Sequence, residues 1–380
     1  MKVLNISLCL VFMLGIMQLQ AQRPEKVVRI TKELHETDWY RQQAISWKTY
    51  LETQPEDAAA WQSYYEANRA LRNLTGEPLE DLDQIIKTMK QHVPMSFEYS
   101  YLVYRQGGIS TDGNQARFEF LEKAHEIAPS RTEVLEEFVT HYELAWDPAK
   151  RLAFNVKRLH ANDISYEVLS YNYNVLMSLE PNAILFTNGD NDTYPLWLLQ
   201  DAMGVRQDVI VLNCSLAMEN AYLNRLLKHY GIAAFEKEID TQTAFARYHA
   251  DLRTHLLALG ERPLYYALTV NSKNYESVKD KLYVVGLASK YSEKRFDNSS
   301  VLAQNVEEKF RLEYMLLDLA YYTPQSPAGQ FAQAYLMPLL SLHRYYKSEG
   351  ESEKATELKK MILSIARKAE REAEIKEILD

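Results

Sequence analysis

Residues 188–192 read Asn-Gly-Asp-Asn-Asp, five polar positions that end one apolar run and precede Thr193-Tyr194-Pro195 and a second apolar face. Carboxylates spaced as Asp190-Asn191-Asp192 can hold a divalent cation, and their oxygens suit Mg2+, Mn2+ or Ca2+. This Asp-x-Asp form is also the one by which nucleotide-sugar transferases hold a metal and its bound diphosphate. A metal-free site is equally open to these residues. Asn188, Asn213, Asn271 and Lys273, with backbone N–H groups, can hold a glycan or an anion. The third possibility is purely structural. Asp192 or Thr193 can cap the following helix, and Pro195 fits its first turn. Gly189 can take a positive φ beside an Asx turn, and Asn213 and Ser215 can play the same capping part before Met218.

The elements that must position these residues follow from apolar spacing. Ala183–Thr187, Asp208–Leu212 and Pro263–Val270 are short apolar runs bounded by turn residues, as buried strands should be. Lys281–Ala288 reads as a fourth strand, weakened by Gly286. Between them Tyr194–Met203, Glu219–Tyr230 and Thr241–Leu259 carry helical spacing, and each is followed by or ends near a glycine. Alternating strands and helices imply βαβ units and a three-layer α/β domain with a mostly parallel sheet over residues 180–298. In such sheets ligands bind beyond the carboxyl ends of the strands. Three strand ends here are polar: Thr187–Thr193, Asn213-Cys214-Ser215, and Asn271 through Tyr275. The expected ligand-binding set is Asn188, Asp190, Asn191, Asp192, Thr193, Asn213, Ser215, Asn271 and Lys273, with Asp190 and Asp192 as the metal ligands if a divalent cation binds.

Residues 22–179 read as helices. Pro55, Pro94 and Pro129 close successive helical stretches 39 and 35 residues apart, near the 34-residue period of tetratricopeptide helix pairs. A tetratricopeptide-like α-helical repeat domain is therefore expected, its aromatics packing between helices and its exposed face open to a protein or peptide. The loop Gly107–Gly113 is assigned no chemistry. Residues 299–380 form a C-terminal helical tail, with Phe331–Tyr346 and Lys354–Leu379 expected as an antiparallel pair.

Lys2, the apolar run Val3–Met17 and the small residue Ala21 read as a secretory signal peptide over residues 1–21. The protein is expected in a periplasm, without a transmembrane segment after cleavage; an uncleaved N-terminal segment would instead tether it to the membrane. The net charge of −9 argues against nucleic acid, which calls for a basic face. Cys9 falls within the signal, which leaves Cys214 alone and no intramolecular disulfide. Cys214 reads as a small packed residue. His249 and His255 sit six apart on poorly matched helix faces, and no His-Glu-x-x-His, Gly-x-Ser-x-Gly, Walker or Gly-x-Gly-x-x-Gly motif follows a strand.

Two stretches carry a resemblance: "LEPNAILFTNGDNDTYPLWLLQDAMGVRQDVIVLNCSLAMENAYLNRLL" and "RPLYYALTVNSKNYESVKDKLYVVGLASKY". Together, over about residues 165–320, they resemble the soluble C-terminal region of bacterial multi-pass membrane proteins of the protein O-mannosyltransferase-like type. Glycosyl transfer in that family is assigned to the membrane part. The resemblance therefore implies a soluble accessory domain that retains Asp190, Asn191, Asp192, Thr193, Pro195 and Trp197 of the shared motif, and it transfers no catalytic role. Two functions are expected from this sequence. One is an exported scaffold or ligand-binding protein associated with envelope glycan or protein processing. The other is a divalent-metal-dependent enzyme acting on a glycan or phosphosugar through Asp190-Asn191-Asp192.

Overall fold

The computed structural model describes residues 23–107, 115–237, 245–316 and 323–379. The expected signal peptide, most of the loop Gly107–Gly113 and the first four residues of the helix expected from Thr241 lie outside them. The chain is mostly helical with one five-stranded mixed sheet. It divides into two compact units: Met1–Ile30 with His35–Gln106, and Thr31–Leu34 with Gly107–Asp380.

The first unit contains α1 (Thr37–Thr53), α2 (Ala58–Thr75), α3 (Leu82–His92) and α4 (Phe97–Gln106). Short polar residues start the helices: the Asp57 side chain accepts from Ala60 N, and Asp81 accepts from Asp83 N and Gln84 N. Gly76, at φ 83°, ends α2 in the left-handed region. Trp47, Tyr65, Met89 and Tyr101 fill the core, and Arg105 pairs with Glu66 inside it.

The second unit begins with four more helices: α5 (Gln115–Ile127), α6 (Glu133–Leu144), α7 (Pro148–His160) and α8 (Tyr166–Met177). The strands follow as β1 (Ile184–Thr187), β2 (Ile210–Asn213), β3 (Leu264–Ala267), β4 (Leu282–Val284) and β5 (Ala288–Tyr291). The interleaved helices are α9 (Tyr194–Met203), α10 (Asn220–His229) and α11 (Phe245–Leu259). Compactness thus separates the chain at Gln106, whereas the helical spacing suggested 179. The reason is chemical. Arg151 on α7 donates to Asp201 on α9 at 2.7 and 2.9 Å and also bonds Glu143 on α6, and Glu143 accepts from Tyr222 on α10 at 2.6 Å. These helices belong to the core around the sheet.

The strand order is β2-β1-β3-β5-β4. β1 is parallel to both β2 and β3, with Ile184 opposite Ile210 and Leu264. The β1–β2 and β2–β3 crossovers run in opposite directions across the sheet, and right-handed crossovers of that kind place their helices on opposite faces. The stretch read as one strand, Lys281–Ala288, is instead the start of a hairpin. β5 runs antiparallel to β3, and β4 antiparallel to β5. The chain reverses around Gly286, a position where no side chain fits. A Cβ would lie 2.3 Å from Ser178 Oγ, the atom that accepts from Leu287 N at 3.0 Å.

The tail comprises α12 (Asn298–Gln304), α13 (Glu313–Leu316), α14 (Pro327–Ala334), α15 (Leu336–Glu349), α16 (Ser352–Lys368) and α17 (Glu372–Leu379). α15 and α16 pair about Gly350, at φ 79°, but the two long helices expected here are each broken, at Tyr335 and at Glu370. Asn174 on α8 fixes the tail by donating to Tyr335 Oη at 2.8 Å and Arg311 O at 3.0 Å. Among the described residues no helix is long and apolar enough to cross a membrane.

Gly286→Ala should lower unfolding free energy by about 1–3 kcal/mol, the usual cost of forcing atoms into a packed core. Urea unfolding followed by circular dichroism checks this.

Candidate functional site

β1 delivers Thr187 to the carboxyl edge of the sheet, where the chain turns through residues 188–193 into α9. Asp192 folds back over this turn. Its Oδ1 accepts from Gly189 N at 2.7 Å, and its Oδ2 accepts from Asn188 N at 2.9 Å and from Thr269 Oγ1. Thr269 lies just past the end of β3. The carboxylate therefore plugs the gap between β1 and β3, the place where an open sheet of this order usually receives a ligand. Burial raises its pKa above the ordinary carboxylate value, opposed by these donors.

Thr193 is used internally as well. Its hydroxyl lies 2.8 Å from Thr187 Oγ1 and accepts from Asn213 Nδ2 at 2.9 Å. It occupies the N-cap position of α9 without a side-chain cap bond, and the backbone carbonyl of Asp190 takes Tyr194 N at 3.0 Å. The expected capping by Asp192 or Thr193 is thus replaced by a main-chain turn. Gly189 does not adopt the positive φ expected of it. Asn213 Oδ1 accepts from Ser215 N and Leu216 N, and Asn271 Oδ1 accepts from Lys273 N, so both amides build turns. Ser215, Asn271, Lys273 and Asn188 are exposed. The strand ends are tied to one another, β1 to β2 through Thr193 and Asn213 and β1 to the turn after β3 through Asp192 and Thr269.

Asp190 and Asn191 face elsewhere. They line a cavity of about 400 Å3 together with Lys32, Glu136, Arg158 and Asp163. Arg158 is its most constrained member, with a side chain 1% exposed. Nε donates to Asp163 at 2.8 Å and Nη2 to Glu136 at 3.0 Å. Its remaining nitrogen, Nη1, is buried with no hydrogen-bond partner among the described residues. An orphaned guanidinium N–H is costly, and such groups mark the place of a water or a ligand. Asn191 is held by its amide, which donates to Thr31 O at 2.6 Å, and by its carbonyl, which accepts from Asn172 Nδ2 at 3.0 Å. Ser165 and Ser326, the N-caps of α8 and α14, also reach the cavity wall. Asp190 and Asp192 thus serve different sides of the loop. Among the described residues no group of three or more His, Cys, Asp or Glu is placed to hold a metal ion.

Arg158, Lys32 and Ser165 were not singled out from the sequence. The only local signal was Asp163-Ile164-Ser165 ahead of an apolar helix, which reads as a helix start and says nothing about which loop it will face.

Residues 168–258 match the family model TMEM260-associated domain 2. TMEM260 is a protein O-mannosyltransferase-like membrane protein, so the match points in the direction of the resemblance noted above. It runs from within α8 to within α11, taking in β1, β2, α9, α10 and the whole 188–193 loop, and it ends before the second resembling stretch, which contains β3. Arg158 and Lys32 lie outside it. No curated protein matches the chain.

Beside the plugged strand ends, Cys214 is buried, and its thiol is pushed up to about 12 by burial, which keeps it protonated near neutrality. His249 is also buried, ringed by Phe186, Phe245 and Tyr248, and neither ring nitrogen has a hydrogen-bond partner among the described residues. Burial pushes its pKa down to about 4.

Asp192→Asn leaves one acceptor oxygen facing three donors, and should cost about 1–3 kcal/mol in urea unfolding. For His249 the native state holds the neutral ring, so the unfolded chain protonates first. Its contribution is complete above pH 6.5 and is lost as pH falls to about 4, by about 3 kcal/mol. Stability measured from pH 7 to 4 should fall less steeply in His249→Phe than in the parent.

Proposed function

We propose that this protein is an exported ligand-binding scaffold associated with envelope glycan or protein processing, and that its second unit holds a small polar ligand in the cavity beside Asp190 and Asn191. The observation that carries the reading is the orphaned Arg158 Nη1, a fully buried donor at the wall of a cavity large enough for a metabolite. The first unit, as a tetratricopeptide-like helical repeat, engages a protein or peptide partner. The N-terminal signal peptide takes the chain to the periplasm. The match to TMEM260-associated domain 2 supports an envelope setting, because that domain is named for a membrane protein of the O-mannosyltransferase-like type. Catalysis is no part of this reading.

Native mass spectrometry of the full chain, purified without denaturation, tests the cavity. The protein should carry an added small-molecule mass. Ile164→Trp, which fills the space from a half-buried wall position, should remove that mass while leaving the fold intact by circular dichroism. An identical mass in both proteins would overturn the assignment.

A further inference from the structure

Two candidate clefts elsewhere are less defined by chemistry. One lies between α15 and α16 beside Met315 and Leu358, and the other in the first unit beside Trp61 and His92. The cavity at Arg158 carries more, because its charges can be set against one another.

Its walls bear four carboxylates, on Glu136, Asp163, Glu167 and Asp190, and two cations, on Lys32 and Arg158. Three helices of eight or more residues also begin at this cavity. Ser165 and Glu167 belong to the start of α8, Pro195 to the first turn of α9, and Ser326 and Pro327 to the start of α14. Each helix start acts as about half a positive charge. The surplus of acid is therefore largely offset, and the cavity as a whole lies near neutrality. Within it the polarity alternates. Arg158 Nη1 requires an acceptor, carboxylates such as Asp190 and Glu167 accept, and the Ser165 hydroxyl can do either, whereas that of Ser326 already donates to Thr323 O. Aliphatic surface from Ile164, Val168 and Pro195 lies between these polar groups.

We infer that the ligand is an uncharged polyhydroxylated molecule, a neutral saccharide unit, which donates hydroxyl protons to Asp190 and Glu167 and accepts from Arg158. The inference rests on the cavity reading above and narrows it. A phosphorylated ligand bound at Arg158 Nη1 would lie beside Glu136 and Asp163, the carboxylates that already hold this guanidinium. Their repulsion in a partly buried site opposes it.

The test titrates the full chain with matched sets of ligands: glucose, galactose and mannose, their 2-amino forms and their 6-phosphates. Binding is read by ligand-observed NMR and calorimetry, with Ile164→Trp as the cavity-filled control. A neutral hexose should bind in preference to its charged forms, with an affinity that changes less than twofold between low and high salt. Asp190→Asn and Glu167→Gln, nearly isosteric and checked for folding by circular dichroism, should weaken that hexose at least fivefold. A 6-phosphate that binds best, and more tightly in those variants, would overturn the inference and leave the cavity reading standing. So would an amino sugar that binds best with strong salt dependence. If no ligand of any set binds, and native mass spectrometry finds no cavity-dependent mass, both readings fall.

Discussion

The carboxylate of Asp192 decides the geometry of the sheet's carboxyl edge. An open parallel sheet leaves a gap where crossovers diverge to either side of its first strand, and here that gap lies between β1 and β3. Asp192 fills it with an internal anion, bound by two backbone N–H groups of its own loop and by Thr269. Burying a carboxylate is unfavourable unless donors surround it, and three donors meet that requirement. With Asp192 turned inward, the loop presents Asp190 and Asn191 on its other side. Both face α7 and α8 across a cavity walled largely by helices.

That wall rests on a second buried constraint. Arg158 is clasped by Glu136 from one helix and by Asp163 from the turn before another, so three segments are fixed around one guanidinium. A buried charge left alone is strongly destabilising, whereas a planar guanidinium gripped on two sides is rigid. Its third nitrogen is held in place by the two bonds that satisfy the others. A donor fixed in this way needs little reordering to meet an acceptor, which favours binding.

Much of the fold was legible because it is local. The runs Ala183–Thr187 and Asp208–Leu212 became β1 and β2 almost residue for residue, since a buried parallel strand must be apolar on both faces. Helical spacing also located α9 and α15, and Gly204 and Gly350 marked their ends. What could not be read was tertiary. Nothing in the spacing of Lys281–Ala288 tells that Ser178, more than a hundred residues earlier, crowds Gly286 and accepts from Leu287 N within a hairpin. The same limit applied at the site. The polar loop stands out in the sequence, but a pattern of Asp and Asn cannot tell which carboxylate turns inward. Asp192 turned in because Thr269 was there to meet it. Arg158 escaped notice because its meaning depends on a neighbour in space, with no feature of its own to mark it.

The stretch Thr31–Leu34 belongs to the second unit although the residues on either side of it belong to the first. The cavity wall therefore draws on Lys32 and on Pro327, nearly three hundred residues apart in the sequence. A chain emerging from its amino terminus has made Lys32 and Arg158 long before α14 exists. The cavity is thus closed only once α14 has been made and has folded against the earlier helices. A fragment that stops before α14 would lack that part of the cavity wall, however well its other helices packed.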